Sequence, residues 1–351
     1  SKFPFYGGAI GYWDYELGGR FEKLPAPRQN DINLPNMYVG IYESAIVYDH
    51  QNSEAMFVSI AEDAQTVHNF ITEQLELEYQ TATPFKLTSQ WLSNMTKSEY
   101  EVKFNKVQDY LLSGDCYQIN LAQRFSAHYE GDEWLAYSKL KAQNSAPFSS
   151  FIRLKQGAIL SVSPERFIQV HDDLAESKPI KGTRPRSTDI AVDRTLAEEL
   201  RTAEKDRAEN LMIVDLLRND LSKVAVPGTV EVPSLFAIES FPAVHHLVST
   251  VTAKIRPPFN ALDLLRGAFP GGSITGAPKI RAMQIIHELE PHPRSVYCGA
   301  IGYITPDGNM DTNITIRTLV CNQDKIHCWA GGGLVADSEC DAEYQETLDK
   351  V

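Results

Sequence analysis

The chain has 351 residues, 43 % of them hydrophobic and 23 % charged, with a formal net charge of −13. This is the composition of an ordinary folded protein long enough for a large core, and its acidic balance excludes charge-driven binding to nucleic acid, which needs clustered Lys and Arg. An acidic protein that takes an anionic ligand needs a local device, such as a divalent cation or a helix N-terminus.

Residues 1–90 read as a strand-rich part, with short apolar runs at Tyr38-Val-Gly-Ile-Tyr42 and Ala45-Ile-Val-Tyr48. The Pro-rich run Leu24-Pro-Ala-Pro27 interrupts them, residues 67–77 suit a short helix, and residues 80–90 read as a linker. Residues 91–351 form the second part. Thr96 and Glu99 make a capping-box pattern ahead of Tyr100, Phe104, Val107 and Leu111 at helical spacing, and Gly114 ends that helix. The strand that follows alternates, with Tyr117, Ile119, Leu121 and Gln123 on a buried side and Gln118, Asn120 and Ala122 on the other.

Residues 158–162 and 166–170 read as a strand pair flanking Ser163-Pro-Glu165. Residues 195–221 read as one long helix with an apolar stripe of Leu211, Val214, Leu217 and Leu221. Strands follow Pro227 and Gly228, then comes a helix over 278–289. Strands are expected at 299–305, 312–320 and 325–330, and a last helix near Asp341. Antiparallel strand runs with segregated helices predict an α+β fold, a large antiparallel β-sandwich core with helices packed on the outside. Cys116, Cys298, Cys321, Cys328 and Cys340 have no CxxC spacing, so free thiols are expected. No apolar run is long enough for a bilayer and no signal-peptide pattern opens the chain, so the expected location is cytoplasmic, away from membranes.

Four features carry chemistry. Phe269-Pro-Gly-Gly-Ser-Ile-Thr-Gly-Ala-Pro-Lys279 puts glycines and hydroxyls before a helix, whose free N–H groups favour an anion. Gly271 and Gly276 have P-loop spacing, but Ala-Pro-Lys follows them, so no nucleotide-phosphate loop is expected; a ligand-free cap is an equal reading. Asp206, Glu209 and Asp215 lie on one predicted helix, Glu343 and Glu346 on another. Carboxylates three apart share a face, and two such faces together would suit Mg²⁺, although solvated helix acids are commoner. His245 and His246 sit on a mainly apolar strand, where a hydrogen-bonded core role is the ordinary one and a neutral ring can still donate to a substrate. In Pro179-Ile-Lys-Gly-Thr-Arg-Pro-Arg186, prolines hold extended backbone around Lys181 and Gly182 permits close approach; a lysine enclosed there can act as a nucleophile, against the plainer reading of a basic surface loop.

Together these runs resemble the chorismate-binding enzyme family. The likeness also rests on Gly114-Asp-Cys-Tyr-Gln-Ile-Asn120, Ser163-Pro-Glu-Arg-Phe167, the run from Asp206 to Leu221, His246-Leu-Val-Ser249, Gly299-Ala-Ile-Gly-Tyr303, Ile316-Arg-Thr318, Gly331-Gly-Gly-Leu-Val-Ala-Asp337 and Glu343-Tyr-Gln-Glu-Thr347. The resemblance implies Glu209 and Glu346 as direct Mg²⁺ ligands, with Asp206 and Glu343 holding its waters. The metal would take the ring carboxylate of chorismate, which resolves the charge question. Arg317 and Tyr297 would hold the enolpyruvyl carboxylate, and Gly331, Gly332, Gly333 and Lys350 make further carboxylate contacts. Gln118, Gly182, Thr183, Ser273 and His246 would line the ring.

Two positions divide the family's chemistries. Members that add water at C2 carry a lysine base where Gln118 stands, and a glutamine cannot take that proton near pH 7. Anthranilate-forming members carry alanine where Lys181 stands, whereas C4-aminating members carry lysine. The resemblance thus implies amination of chorismate at C4 to 4-amino-4-deoxychorismate, toward 4-aminobenzoate and folate. Lys181 would be the nucleophile, Glu165 the general acid and His246 a third catalytic group. Anthranilate formation is the alternative, and a noncatalytic chorismate- or tryptophan-binding module a remote one. Ammonia would come from a separate glutaminase subunit. Relatives carry a segment ahead of the run here spanning Gly7 to Tyr12, so a chain trimmed upstream is expected; Pro147 and Phe148 match the downstream part of a tryptophan pocket.

Overall fold

The computed structural model describes residues 3–25, 30–77, 82–144 and 146–351. Two large sheets, antiparallel throughout, form the core. In the nine-stranded sheet, Val244–Lys254 pairs on one side with Glu231–Ser240 and on the other with Ile180–Pro185 and Leu174–Ser177 in succession. From there the sheet continues through Arg166–His171, Met310–Asn313, Ala300–Ile304 and Gly8–Trp13 to Met37–Tyr42. The eight-stranded sheet runs Gly276–Ala277, Gln118–Glu130, Lys325–Leu334, Thr318–Asn322, Gly157–Ser163, Phe148–Leu154, with Lys86–Leu87 and Leu92–Ser93 added along Gln118–Glu130. A hairpin of Ser44–Asp49 and Glu54–Ser59 stands as its own two-stranded sheet.

One apolar core joins the large sheets. Tyr12, Phe167, Ile168 and Ala300 from the first pack in the same cluster as Ile119, Leu121, Ile159 and Val320 from the second. Helices cover the outside: Glu204–Ser222 lies on Val244–Lys254 and Ile180–Pro185, Cys340–Asp349 on Lys325–Leu334, and Lys279–Leu289 on Gln118–Glu130. The fold is α+β, as the segregated pattern predicts. No helix among the described residues is long and apolar enough to cross a membrane.

Where local chemistry decides, expectation and structure agree. The helix Lys97–Leu112 opens on the full capping box: Glu99 N–H donates to Thr96 Oγ1 at 3.2 Å and Thr96 N–H donates to Glu99 Oε2 at 2.7 Å. Thr96→Ala should lower the free energy of unfolding by about 1 kcal/mol, read as a shift of the denaturant midpoint at unchanged slope.

Where tertiary placement decides, four expectations are corrected. The strand Gln118–Glu130 is buried on both faces as far as Phe125, because one sheet face packs in the core and the other under helices, while Tyr117 lies outside it and is exposed. Strands Gly157–Ser163 and Arg166–His171 are not a pair; they belong to different sheets. The predicted strand 312–320 is likewise two, Met310–Asn313 and Thr318–Asn322, one in each sheet. The long helix is also two, Ile190–Thr202 and Glu204–Ser222, divided where Ala203 adopts ψ 106°. Leu211 is exposed, and Asn210, Ile213, Val214, Leu217 and Leu221 make the inward face.

Smaller differences follow the same lines. Pro278 caps the helix Lys279–Leu289 rather than opening it. Within the expected linker, Lys86–Leu87 pairs with Gln118–Glu130. Residues 80–81 of that linker, Ala26 and Pro27 of the Pro-rich run, and Ser145 lie outside the described residues. All five cysteines are free thiols.

Candidate active site

Two chain crossings between the sheets build the site. Ser163-Pro-Glu165 carries the chain from Gly157–Ser163 to Arg166–His171, and residues 314–317 carry it back from Met310–Asn313 to Thr318–Asn322. Hydrogen bonds knit the crossings together. Ser163 Oγ donates to Ile314 O at 2.6 Å, Ile314 N–H donates to Glu165 O at 3.1 Å, and Val162 N–H donates to Arg317 O at 3.0 Å. Arg317 takes φ 48° to make the turn.

Glu165 is therefore fixed by its backbone and enclosed, only 7 % exposed. Ser273 Oγ, from the turn Gly272–Ile274, donates to its Oε1 at 3.1 Å. Burial pushes the Glu165 carboxyl above the ordinary range, and the Lys181 charge and the Ser273 hydroxyl oppose that only in part. Such a carboxyl keeps its proton to higher pH than an exposed glutamate.

Lys181 reaches the same turn, its Nζ donating to Ser273 O at 3.3 Å. Its strand, Ile180–Pro185, slips register against Val244–Lys254 between Ile180 and Thr183, placing Lys181 and Gly182 in a bulge. A bulge re-aims the side chain it carries. Gly182 is required there twice over: its φ is +83°, and a Cβ would fall 2.8 Å from both Asp206 Cγ and Leu200 Cδ1. Ser273 thus touches an enclosed acid through its hydroxyl and an amine through its carbonyl.

Beyond the bulge, Thr183 pairs with His246, and Thr183 Oγ1 lies 2.9 Å from His246 Nδ1. Burial, then the Arg317 charge, pushes the His246 imidazole below its usual range, which favours the neutral ring. His245 points elsewhere, buried between Ser240 Oγ at 2.8 Å and Asp193 at 3.0 Å.

The four acids come from two helices. Asp206 accepts from Arg184 Nη2 at 3.2 Å. Burial raises the Glu209 carboxyl, Lys181 opposes that most, and the charges of Asp206 and Glu343 add to the rise. Glu343 is buried, accepts from Ser338 Oγ at 2.7 Å, and is raised by burial. Glu346 pairs with Lys350, whose Nζ also donates to Gly331 O at 2.9 Å. A Cβ on Gly332 would sit 2.9 Å from Glu343 Oε2 and 3.6 Å from Glu346 Oε1, so glycine lets both acids lie against the strand. The donors are all carboxylate oxygens, the chemistry a hard cation takes. Among the described residues no three His, Cys, Asp or Glu side chains converge into a ligand cage; Asp206 and Glu346 are held instead by Arg184 and Lys350.

The remaining residues divide. Gln118 is enclosed at 2 % exposure, its Oε1 has no hydrogen-bond partner, and its Nε2 occupies the space a Cβ on Gly333 would need, 2.1 Å away. Tyr297 is buried and stacks on Trp329, ring centroids 6.1 Å apart at 5°. Arg317 is exposed, and its charge reaches His246. Lys181, Glu165 and Ser273 make one contact group, Thr183 and His246 another, and Glu343 and Glu346 meet at Gly332; Tyr297 packs in the core against Trp329 and Arg294. Sequence reasoning missed Arg184, the partner of Asp206, although it stands in the run that carries Lys181.

A family model described as chorismate binding enzyme matches residues 2–351. Aminodeoxychorismate synthase component 1 of Salmonella typhimurium (strain LT2) is 57 % identical over 348 residues, which is 99 % of this chain and 76 % of that protein. Anthranilate synthase component 1 of Lactococcus lactis subsp. lactis (strain IL1403) is 37 % identical over 357 residues, covering 99 % of this chain and 78 % of that one. Among solved structures, anthranilate synthase component I from Streptococcus pneumoniae TIGR4 matches with a TM-score of 0.91 at 32 % identity, covering 100 % of this chain and 80 % of the other.

Proposed function

The chain belongs to the chorismate-binding enzyme family, and we propose on that premise a mechanism for the reaction its sequence supports best. It is an enzyme that aminates chorismate at C4 with ammonia, giving 4-amino-4-deoxychorismate, the precursor of 4-aminobenzoate in folate synthesis. One observation carries the mechanism: Lys181 Nζ and the Glu165 carboxyl both meet Ser273, 3.3 and 3.1 Å from its two oxygens.

The unprotonated amine of Lys181 attacks C2 of the ring. Both ring double bonds move one position toward C4, and the C4–oxygen bond breaks. Glu165 gives its proton to the departing oxygen, which leaves as water. Ammonia adds at C4, the double bonds shift back, and the C2–nitrogen bond breaks with its electron pair returning to Lys181. The Glu165 carboxylate then recovers a proton from the new C4 ammonium. Chorismate and ammonia give product and one water, with both side chains restored.

In this reading Gln118, Gly182, Thr183, Ser273 and the neutral ring of His246 line the substrate ring. Arg317 and Tyr297 take the enolpyruvyl carboxylate, and the backbone of Gly331, Gly332 and Gly333 with Lys350 makes further carboxylate contacts. Glu209 and Glu346 would hold Mg²⁺ directly, with Asp206 and Glu343 acting through waters. The bound ion would neutralise the ring carboxylate. Ammonia is supplied by a separate glutaminase subunit, and Pro147 and Phe148 form one side of a site for tryptophan as a structural ligand.

Mg²⁺ at a hundredfold excess over its Kd should stabilise the protein by about 2.7 kcal/mol, read as a rise in unfolding temperature. The Glu209→Gln, Glu346→Gln double variant should lose that rise; an equal rise in both proteins would remove these acids from the metal site. The activity itself is tested by supplying chorismate, Mg²⁺ and ammonium salt, then the lyase that releases 4-aminobenzoate. Formation of 4-aminobenzoate supports the assignment, and anthranilate as sole product overturns it.

A further inference from the structure

Arg294 is the bulkiest fully enclosed side chain among the described residues, 1 % exposed. Its guanidinium donates to Glu290 from Nε at 2.9 Å and from Nη2 at 2.6 Å. Two further donors go to backbone carbonyls: Nη1 to Ile274 O at 2.8 Å and Nη2 to Asn120 O at 2.7 Å. Glu290 Oε1 also accepts from Ala122 N–H at 2.9 Å. The rings of Tyr15 and Tyr297 flank the guanidinium at 4.8 and 5.8 Å.

Those carbonyls are not arbitrary. Ile274 follows Ser273, whose two oxygens meet Lys181 and Glu165. Asn120 lies two residues beyond Gln118 on the strand Gln118–Glu130. A buried ion pair is poor evidence of a stabilising role, since well-packed apolar replacements are often as stable. What the planar fork does supply is fixed spacing between the groups it binds.

We propose that Arg294 is a positioning residue for the amination: its fork sets the spacing between the turn that carries Ser273 and the strand that carries Gln118. It touches no reacting atom. It acts by keeping Ser273 seated against Glu165 and Lys181 while the ring is held. The inference rests on the assignment of Lys181 and Glu165 given above.

The test is Arg294→Lys, which keeps the buried charge for Glu290 and loses the fork. Should that variant fail to fold, Arg294→Met with Glu290→Gln removes both charges and leaves an acceptor for Ala122 N–H. In whichever variant unfolds at the wild-type temperature or close to it, kcat should fall about 100-fold, the scale of a misplacement near 1 Å, with KM for chorismate changed less than about 3-fold. The alkaline limb of the pH–rate profile should also move to higher pH. Lys181 is the charge that faces Glu165 and Ser273 is its hydrogen-bond donor; both hold the carboxyl down, and withdrawing the turn weakens the Ser273 bond. Turnover within about 3-fold of wild type, or lost turnover with an unmoved limb, would overturn the proposal. A wild-type enzyme that made anthranilate would sink the assignment of the reaction, yet leave these ratios readable on that product.

Discussion

Lys181→Ala is expected to lower the rate of C4 amination by roughly 10³-fold or more, the scale for removal of a group that forms a bond in the reaction, while the protein folds as before. The hydrogen bond lost from the folded state is the 3.3 Å contact with Ser273 O, together with the charge that opposes the raised carboxyls of Glu165 and Glu209, at a bulge where the backbone is already set by Gly182. The loss should fall on kcat rather than KM, because the amine acts in bond making and not in holding either carboxylate. Nor does the change disarm the acid. The Lys181 charge opposes the raised carboxyl of Glu165, so its removal leaves that proton more firmly held. Steady-state kinetics on the purified variant decide the matter: turnover equal to wild type would exclude the covalent route.

Glu165→Gln should reduce kcat by about 10²- to 10⁴-fold, the usual contribution of a positioned general acid. Glutamine keeps an acceptor for Ser273 Oγ but has no proton to give the C4 oxygen. The pH dependence supplies the sharper reading. Wild-type activity should fall as pH rises through the Glu165 pKa, which burial holds above the ordinary value, and that limb should vanish in the variant. Stability carries the same sign. A carboxyl raised in the folded state stabilises fully below its unfolded pKa and loses that contribution as pH rises through the folded one. The variant's stability should therefore vary less across that window. An unchanged pH–rate limb in Glu165→Gln would assign the acid to another residue.

The sequence was most legible where neighbours in the chain settle the outcome. The Thr96 and Glu99 box, the short strand runs at Gly157–Ser163 and Arg166–His171, and the acid pair Glu343 and Glu346 all rest on residues close together in the chain. The sheet to which each strand belongs rests on distant partners, so Ser163-Pro-Glu165 looked like a connection within a pair and is a crossing between sheets. The break at Ala203 carries no proline or glycine to announce it. Leu211 fits a helical stripe as well as Ile213 does; only the packing of Glu204–Ser222 on Val244–Lys254 turns one outward and the other inward.

The site divides in the same way. The residue types around Lys181, Glu165 and Glu209 were visible through resemblance to a family, whereas judged alone Lys181 read as a basic surface residue. Its bulge and its shared contact with Glu165 through Ser273 exist only once three separated segments meet. Arg294 left a faint local mark, an arginine four residues after Glu290, but its bonds to Ile274 and Asn120 span separations that no local pattern encodes.

The most direct measurement is the position of the incoming nitrogen. Chorismate incubated with the protein, Mg²⁺ and ¹⁵N-ammonium, with no lyase present, can be followed by NMR. Nitrogen bonded to C4 of a ring that retains its enolpyruvyl group is the predicted result. Nitrogen at C2 of an aromatic ring, with free pyruvate released, would contradict the account and reassign Lys181.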